Sequence, residues 1–264
     1  MSRLLQISGP HFGAERPELV VMSGDLTQRA RRHQFEAARA FVARLGAQPV
    51  LAIPGNHDLP LFDLIARWRQ PYARYRRTFG NQLEPVYDAP ALLAIGVNTT
   101  RPARHTAGEI SAEQVERVAR RLELASPAQL RVVVVHQPIV AIWPTNRHDR
   151  LHGGKAALRR WAAAGVDLVL GGHTHRAGAW LVTPPSGDGD ATRPVFMVQG
   201  GTAVSRRLHA GMPNSVNLID YAASSTGPRR ATLTRCDYDD QGRCFVAQAP
   251  QHLDLAPAAP FPLA

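Results

Sequence analysis

Cysteine, aromatic residues and long apolar runs are all scarce in this 264-residue chain. Its two cysteines, Cys236 and Cys244, exclude a disulfide-dense scaffold and a structural zinc site built from thiolates. They flank RCDYDDQGRCF, which reads as a hairpin. Pairing across its strands is one reading; two reduced thiols in a cytoplasmic protein is the favoured one. No stretch reaches about 18 continuous apolar residues, so no membrane-spanning helix is expected. MSRLLQIS reads as a strand, too short in its apolar part for a secretory leader. Aromatics make up 6% of the chain, and Trp68, Trp143, Trp161 and Trp180 read as packing residues, which argues against a base-stacking platform. Acidic residues are also few, 21 against 31 Lys plus Arg, for a net charge of +10. Such a balance suits an anionic partner. However, the basic residues, nearly all Arg, form no dense block; Arg29 to His33 and Arg74 to Arg77 come nearest. A solvated, Arg-rich surface is therefore preferred over a nucleic-acid interface.

Short apolar runs are plentiful. LLQI (4–7), ELVVM (18–22), PVLAI (49–53), LLAIGV (92–97), RVVVV (131–135), VDLVL (166–170), VFMV (195–198) and VNLI (216–219) are rich in Val, Ile and Leu. Most lack alternation, as expected of strands buried on both faces. Helical spacing appears over 32–46, which ends in Gly46, over 111–125, which begins with Ser111, and over 151–166, with the residues that cap helices at the right places. The alternation predicts a layered α/β domain over 1–250. Residues 195–248 turn to strands and hairpins, and 251–264 read as an extended C-terminal tail.

The polar residues that end these runs carry the chemistry. Gly9-Pro10-His11 follows the first strand. Ser23-Gly24-Asp25 follows the second, and Asn56-His57-Asp58 the third, after a Pro-Gly pair. His136 follows RVVVV directly, and Gly171-Gly172-His173-Thr174-His175 follows VDLVL. Ligands of open α/β sheets sit at the carboxyl ends of strands, and glycine lets the backbone turn so that neighbouring side chains converge. Taken singly, a His after a strand is more often structural, and Asn56 or Asp25 is an ordinary turn residue. Five strand ends with such groups are another matter. Imidazoles, a carboxylate and an amide oxygen suit Mn, Fe or Zn, and one carboxylate can bridge two ions that clamp a phosphoryl group.

GPHFG, SGDLT, PGNHD, VVVVHQP and GGHTHR, in that order, resemble the successive motifs of the calcineurin-like metallophosphoesterases. QGGTAVSRR and NSVNLI are similar to the C-terminal segment of the bacterial cyclic-nucleotide-phosphodiesterase-like branch. The resemblance covers about residues 3–220. It implies a four-layer α/β/β/α sandwich, two divalent metal ions and hydrolysis of a small phosphorylated substrate, a phosphodiester such as a cyclic nucleotide. By position, Asp25 would bridge the ions, His11 and His175 would bind one, and Asn56, His136 and His173 the other. His57 would not bind metal but would approach the phosphate and either protonate the leaving oxygen or stabilise transition-state charge, oriented by Asp58.

Two departures fall together. The family's first motif is Asp-x-His, whereas Gly9 supplies no oxygen here. In addition, only PHFGAERP joins the first two strands, whereas a parallel crossover normally holds a helix. The first crossover helix is expected to be missing, leaving a weakened first metal position and a sheet face that a second copy of the chain could cover. The alternatives to an active phosphoesterase are a weakly active relative that binds phosphorylated ligands and, third, a nucleic-acid-binding protein or nuclease. Loops at 61–80, 98–109 and 142–154 are expected over the cleft, with Arg101, His105, Arg147, His148 and His152 as candidate phosphate or sugar contacts. His209 and His252 read as surface residues.

Overall fold

A computed structural model describes residues 2–7, 17–46, 48–140, 150–184, 193–205, 211–222 and 228–257. Two sheets form the centre. The first contains β1 (Ser2–Ile7), β2 (Leu19–Met22), β3 (Val50–Ala52), β10 (Ser215–Tyr221), β11 (Arg230–Asp239), β12 (Cys244–Ala247) and β13 (Gln251–Asp254). Its order is β12-β11-β10-β1-β2-β3, with β13 also on β11. The second contains β4 (Val86–Ala89), β5 (Leu92–Gly96), β6 (Leu130–Val134), β7 (Leu168–Gly171), β8 (Gly178–Val182) and β9 (Val195–Gln199), in the order β4-β5-β6-β7-β9-β8. The strands that lead to the polar motifs, β1–β3 in one sheet and β5–β7 in the other, pair in parallel. Their carboxyl ends therefore open on one edge of the molecule.

The continuous apolar runs are explained by burial on both faces. Leu4, Leu19, Val21 and Leu51 of the first sheet meet Leu92, Val132, Leu168 and Val198 of the second in the middle of the sandwich. The other face of the second sheet, with Leu93, Ile95, Val133 and Val169, packs on α4 (Ala112–Glu123) and α5 (Gly154–Ala163). There Trp161 is fully buried and its indole N–H donates to the Val115 carbonyl at 3.1 Å. Leu5, Val20 and Met22 on the outer face of the first sheet meet Phe41 and Val42 of α1 (Arg32–Arg44) and Leu45 just beyond it. These are the four layers expected from the resemblance.

Several expectations need correction. Residues 61–80 are not a loop: they hold α2 (Leu64–Arg69) and α3 (Ala73–Phe79). The stop-start spacing of apolar residues and Pro71 hid two short helices. Strands β4 and β8 also lacked a legible run, being only partly buried. The segment read as a tail begins with β13, which pairs with β11 and fully buries Leu253. Trp68 is exposed rather than packed, and Trp143 lies outside the described residues. In keeping with the favoured reading, Cys236 and Cys244 are free thiols: in the β11–β12 register they face Ala247 and Asp239, not each other. Parallel β1 and β2 are joined by residues 8–18, of which 8–16, where the crossover helix was expected to be missing, lie outside the described residues.

Candidate metal centre

Asp25 sits three residues past β2, held where two loops nearly touch. Gly24 has φ +91°, and a Cβ there would lie 2.4 Å from His136 Nδ1; a Cβ on Gly55 would lie 2.2 Å from the Asp25 amide nitrogen. Neither position has room for a side chain. Among the described residues, five non-glycine residues have positive φ, and three of them are Asp25, His173 and His175. Left-handed backbone is costly for such residues and concentrates at functional sites.

The side chains converge. His136, fully buried at the end of β6, directs Nδ1 at the Ser23 carbonyl at 2.8 Å. A carbonyl only accepts, so Nδ1 carries the hydrogen and Nε2 points into the site. Nε2 lies 3.0 Å from Asn56 Oδ1, 3.2 Å from His173 Nδ1 and 3.3 Å from Asp25 Oδ1. His173 Nδ1 is also 2.9 Å from Asn56 Oδ1. The ligand-type atoms of Asp25, His136 and His173 all lie within 4.8 Å of one another. Two donors at about 2.1 Å from one ion, at right angles, stand about 3 Å apart, which is the spacing seen. Four electron-pair donors packed this closely fit a divalent cation, with Ser23 fixing the His136 ring as an outer-shell partner does.

Electrostatics follow from the crowding. Burial raises the Asp25 carboxyl, but the charges and hydrogen bonds of His136 and His57 outweigh this and hold it below the usual carboxylate range. Burial lowers His136, and the Asp25 charge with the bonds to Asp25 and Ser23 more than offset that, so its pKa is raised. Burial chiefly lowers His175.

Asp58 behaves differently from expectation. It is buried and accepts from the Leu26, Thr27 and Gly55 amides at 3.1, 2.8 and 2.8 Å, and from the Thr27 hydroxyl at 2.9 Å. Burial and the nearby Asp25 charge push its pKa up to about 6, against the pull of those donors. It fastens the 24–27 loop to the 55–58 turn rather than orienting His57. The His57 ring donates from Nδ1 to the Gln28 carbonyl at 2.9 Å, and its backbone N–H donates to Asp25 Oδ1 at 3.0 Å. The holding roles of Ser23, Thr27 and Gln28 were not read from the sequence, although SGDLT contains the first two. His175 lines the same cavity as Asp25 and His57.

His11 and Gly9 lie outside the described residues, as do Arg147, His148 and His209. Arg101 is committed to structure: it donates to the Asn98 and Thr100 carbonyls and to Gln114 Oε1. His105 and His152 are exposed. His252 is exposed on β13, with Nδ1 3.3 Å from the Thr232 hydroxyl.

Comparison with known proteins agrees with this geometry. The family described as calcineurin-like phosphoesterase matches residues 2–177. A probable cyclic nucleotide phosphodiesterase of Synechococcus is 32% identical over 164 residues, 61% of this chain and 59% of that protein. Another, of Rhodococcus erythropolis, is 22% identical over 173 residues, 64% of this chain and 55% of that protein. The chain thus spans under two thirds of the length of these relatives. A solved structure of PhoD superposes with a TM-score of 0.65 at 9% identity, covering 95% of this chain and 69% of that one, which is a likeness of fold.

Proposed function

Because the chain belongs to the calcineurin-like phosphoesterase family, we propose that it hydrolyses a phosphodiester with the help of bound divalent metal. The observation that carries this reading is the meeting of Asp25, Asn56, His136 and His173 donor atoms, from four strand ends, around one point. Asn56, His136 and His173 would hold one ion, His11 and His175 the second, and Asp25 both. Mn, Fe and Zn all suit the donor set. Bound metal would supply charge for the phosphoryl oxygens and an acidified water as nucleophile.

The chain's own residues do the rest. The Asp25 carboxylate, kept ionised by its neighbours, anchors the loop that carries His57 through its bond to the His57 amide. The Gln28 carbonyl holds His57 Nδ1–H, so Nε2 is the atom left to face substrate. From there an Nε2–H would pass its proton to the leaving oxygen. Cyclic nucleotides are the first substrates to test, since two relatives bear that name. The chain is incubated with cyclic nucleotides and a chromogenic phosphodiester after loading with manganese. Turnover is expected, is removed by chelator and returns with metal. No turnover at verified metal occupancy would overturn the reading. A second reading rests on Gly9, which stands where the family has Asp: a weakly active protein that binds phosphorylated ligands. If it holds, Gly9→Asp raises both manganese occupancy and turnover.

A further inference from the structure

A cavity of about 480 Å³ runs away from the metal centre. Asp25, His57 and His175 line it where it meets the metal centre, and Met22 at the end of β2 also lines it. One wall is a stripe of α1, where Ala37, Ala38 and Phe41 lie between Gln34 and Arg44. Gln34 to Arg44 spans roughly 15 Å along the helix axis. Val204, beyond β9, also lines the cavity and is 71% exposed. The groove wall thus offers methyl, methylene and ring carbon from Leu26, Ala37, Ala38, Phe41 and Val204, beside polar groups of Gln28, Thr202 and Ser205.

A bare phosphate or a small polar ester would sit at the metal centre beside His57 and His175 and leave the α1 stripe wet. We propose that the groove is the seat of an apolar ester arm, so that the preferred substrate is an amphiphilic phosphodiester whose hydrocarbon group lies along α1. Continuity with the site fixes the occupant as part of the molecule that carries the phosphoryl group. This inference rests on the phosphoester reading of the site, and its test is chosen to separate the two.

Binding of methylphosphonate, butylphosphonate and octylphosphonate to the manganese-loaded chain is measured by calorimetry, below the concentration at which the octyl compound aggregates. Each buried methylene is worth about fourfold in affinity. For a groove open on one side, octylphosphonate is expected to bind at least about tenfold more tightly than methylphosphonate. Ala37→Trp, at an exposed helix position that lines the groove, and Val204→Asp, beyond β9, are each expected to bring that ratio below about three. Equal affinities across the series, an advantage that both variants leave intact, or no binding of any member would overturn the inference. A clear length dependence in a chain that turns over no ester would sink the hydrolase reading and leave the groove assignment standing.

Discussion

At the scale of single residues, the site sets protons against metal. The raised pKa of His136 means that the metal-free ring keeps its proton above the ordinary 6.5. Its contribution to folded stability is fully present below pH 6.5 and is lost as pH rises through the raised value. A metal at Nε2 must displace that proton. Manganese binding near pH 6.5 is therefore expected to release a proton, seen as a binding heat that varies with the ionisation heat of the buffer, and affinity should climb with pH through the same range. His57 makes a different prediction. His57→Ala is expected to lower kcat by about 10²–10⁴-fold on an alkyl leaving group, and by much less on nitrophenolate, which leaves without a proton. Equal losses on both would remove it as the acid.

At the scale of elements, the centre depends on two loops being fastened together. Asp58 accepts three hydrogen bonds from Leu26 and Thr27 across them and a fourth from the Gly55 amide of its own turn, and a buried donor left unpaired costs about 1–3 kcal/mol. Asp58→Ala is thus expected to lower stability by about 3 kcal/mol or more and to weaken manganese binding, as read from denaturant unfolding and calorimetry. His57→Ala, whose ring makes one bond to Gln28, should barely move the midpoint. The contrast separates a fastening role for Asp58 from an orienting one. Helix starts were legible because they rest on local chemistry. Ser111, read as the start of its helix, accepts from the Gln114 amide, and Gln114 Oε1 accepts from the Ser111 amide, which closes a capping box. The helices within 61–80 were not legible, since Tyr75 is buried by contact with Phe35 and with the Ala52 carbonyl of β3, far away in the chain.

At the scale of the molecule, an ion cluster holds the end opposite the site. Asp167 accepts a bidentate pair from Arg229 at 2.6 and 2.6 Å and another bond from Arg193 at 2.6 Å. Arg229 also donates to the Gln129 and Ala256 carbonyls, so β6, β7 and the chain after β13 meet there. Removing one partner of a buried pair strands the other charge, which costs about 3–5 kcal/mol. Asp167→Ala is expected to lose that much in denaturant unfolding. Truncation after residue 250 should also destabilise, because Leu253 and Leu255 leave the core between the sheets. An unchanged midpoint in either variant would show that this end contributes little.

The sequence by itself determined the residue types at the strand ends, the runs buried on both faces and the helix caps. Each of these is local: periodicity, β-branched content and Gly-flanked polar residues need no distant partner to be read. The tertiary structure decided what distance decides. It brought His136 Nε2 within 3.3 Å of Asp25, gave Asp58 to backbone amides instead of His57, withdrew Arg101 into structural bonds and drew residues 251–254 into a sheet. The physical reason is common to all four. A polar group bonds whichever partner the packed chain presents, and that partner lies at a sequence separation no local pattern encodes.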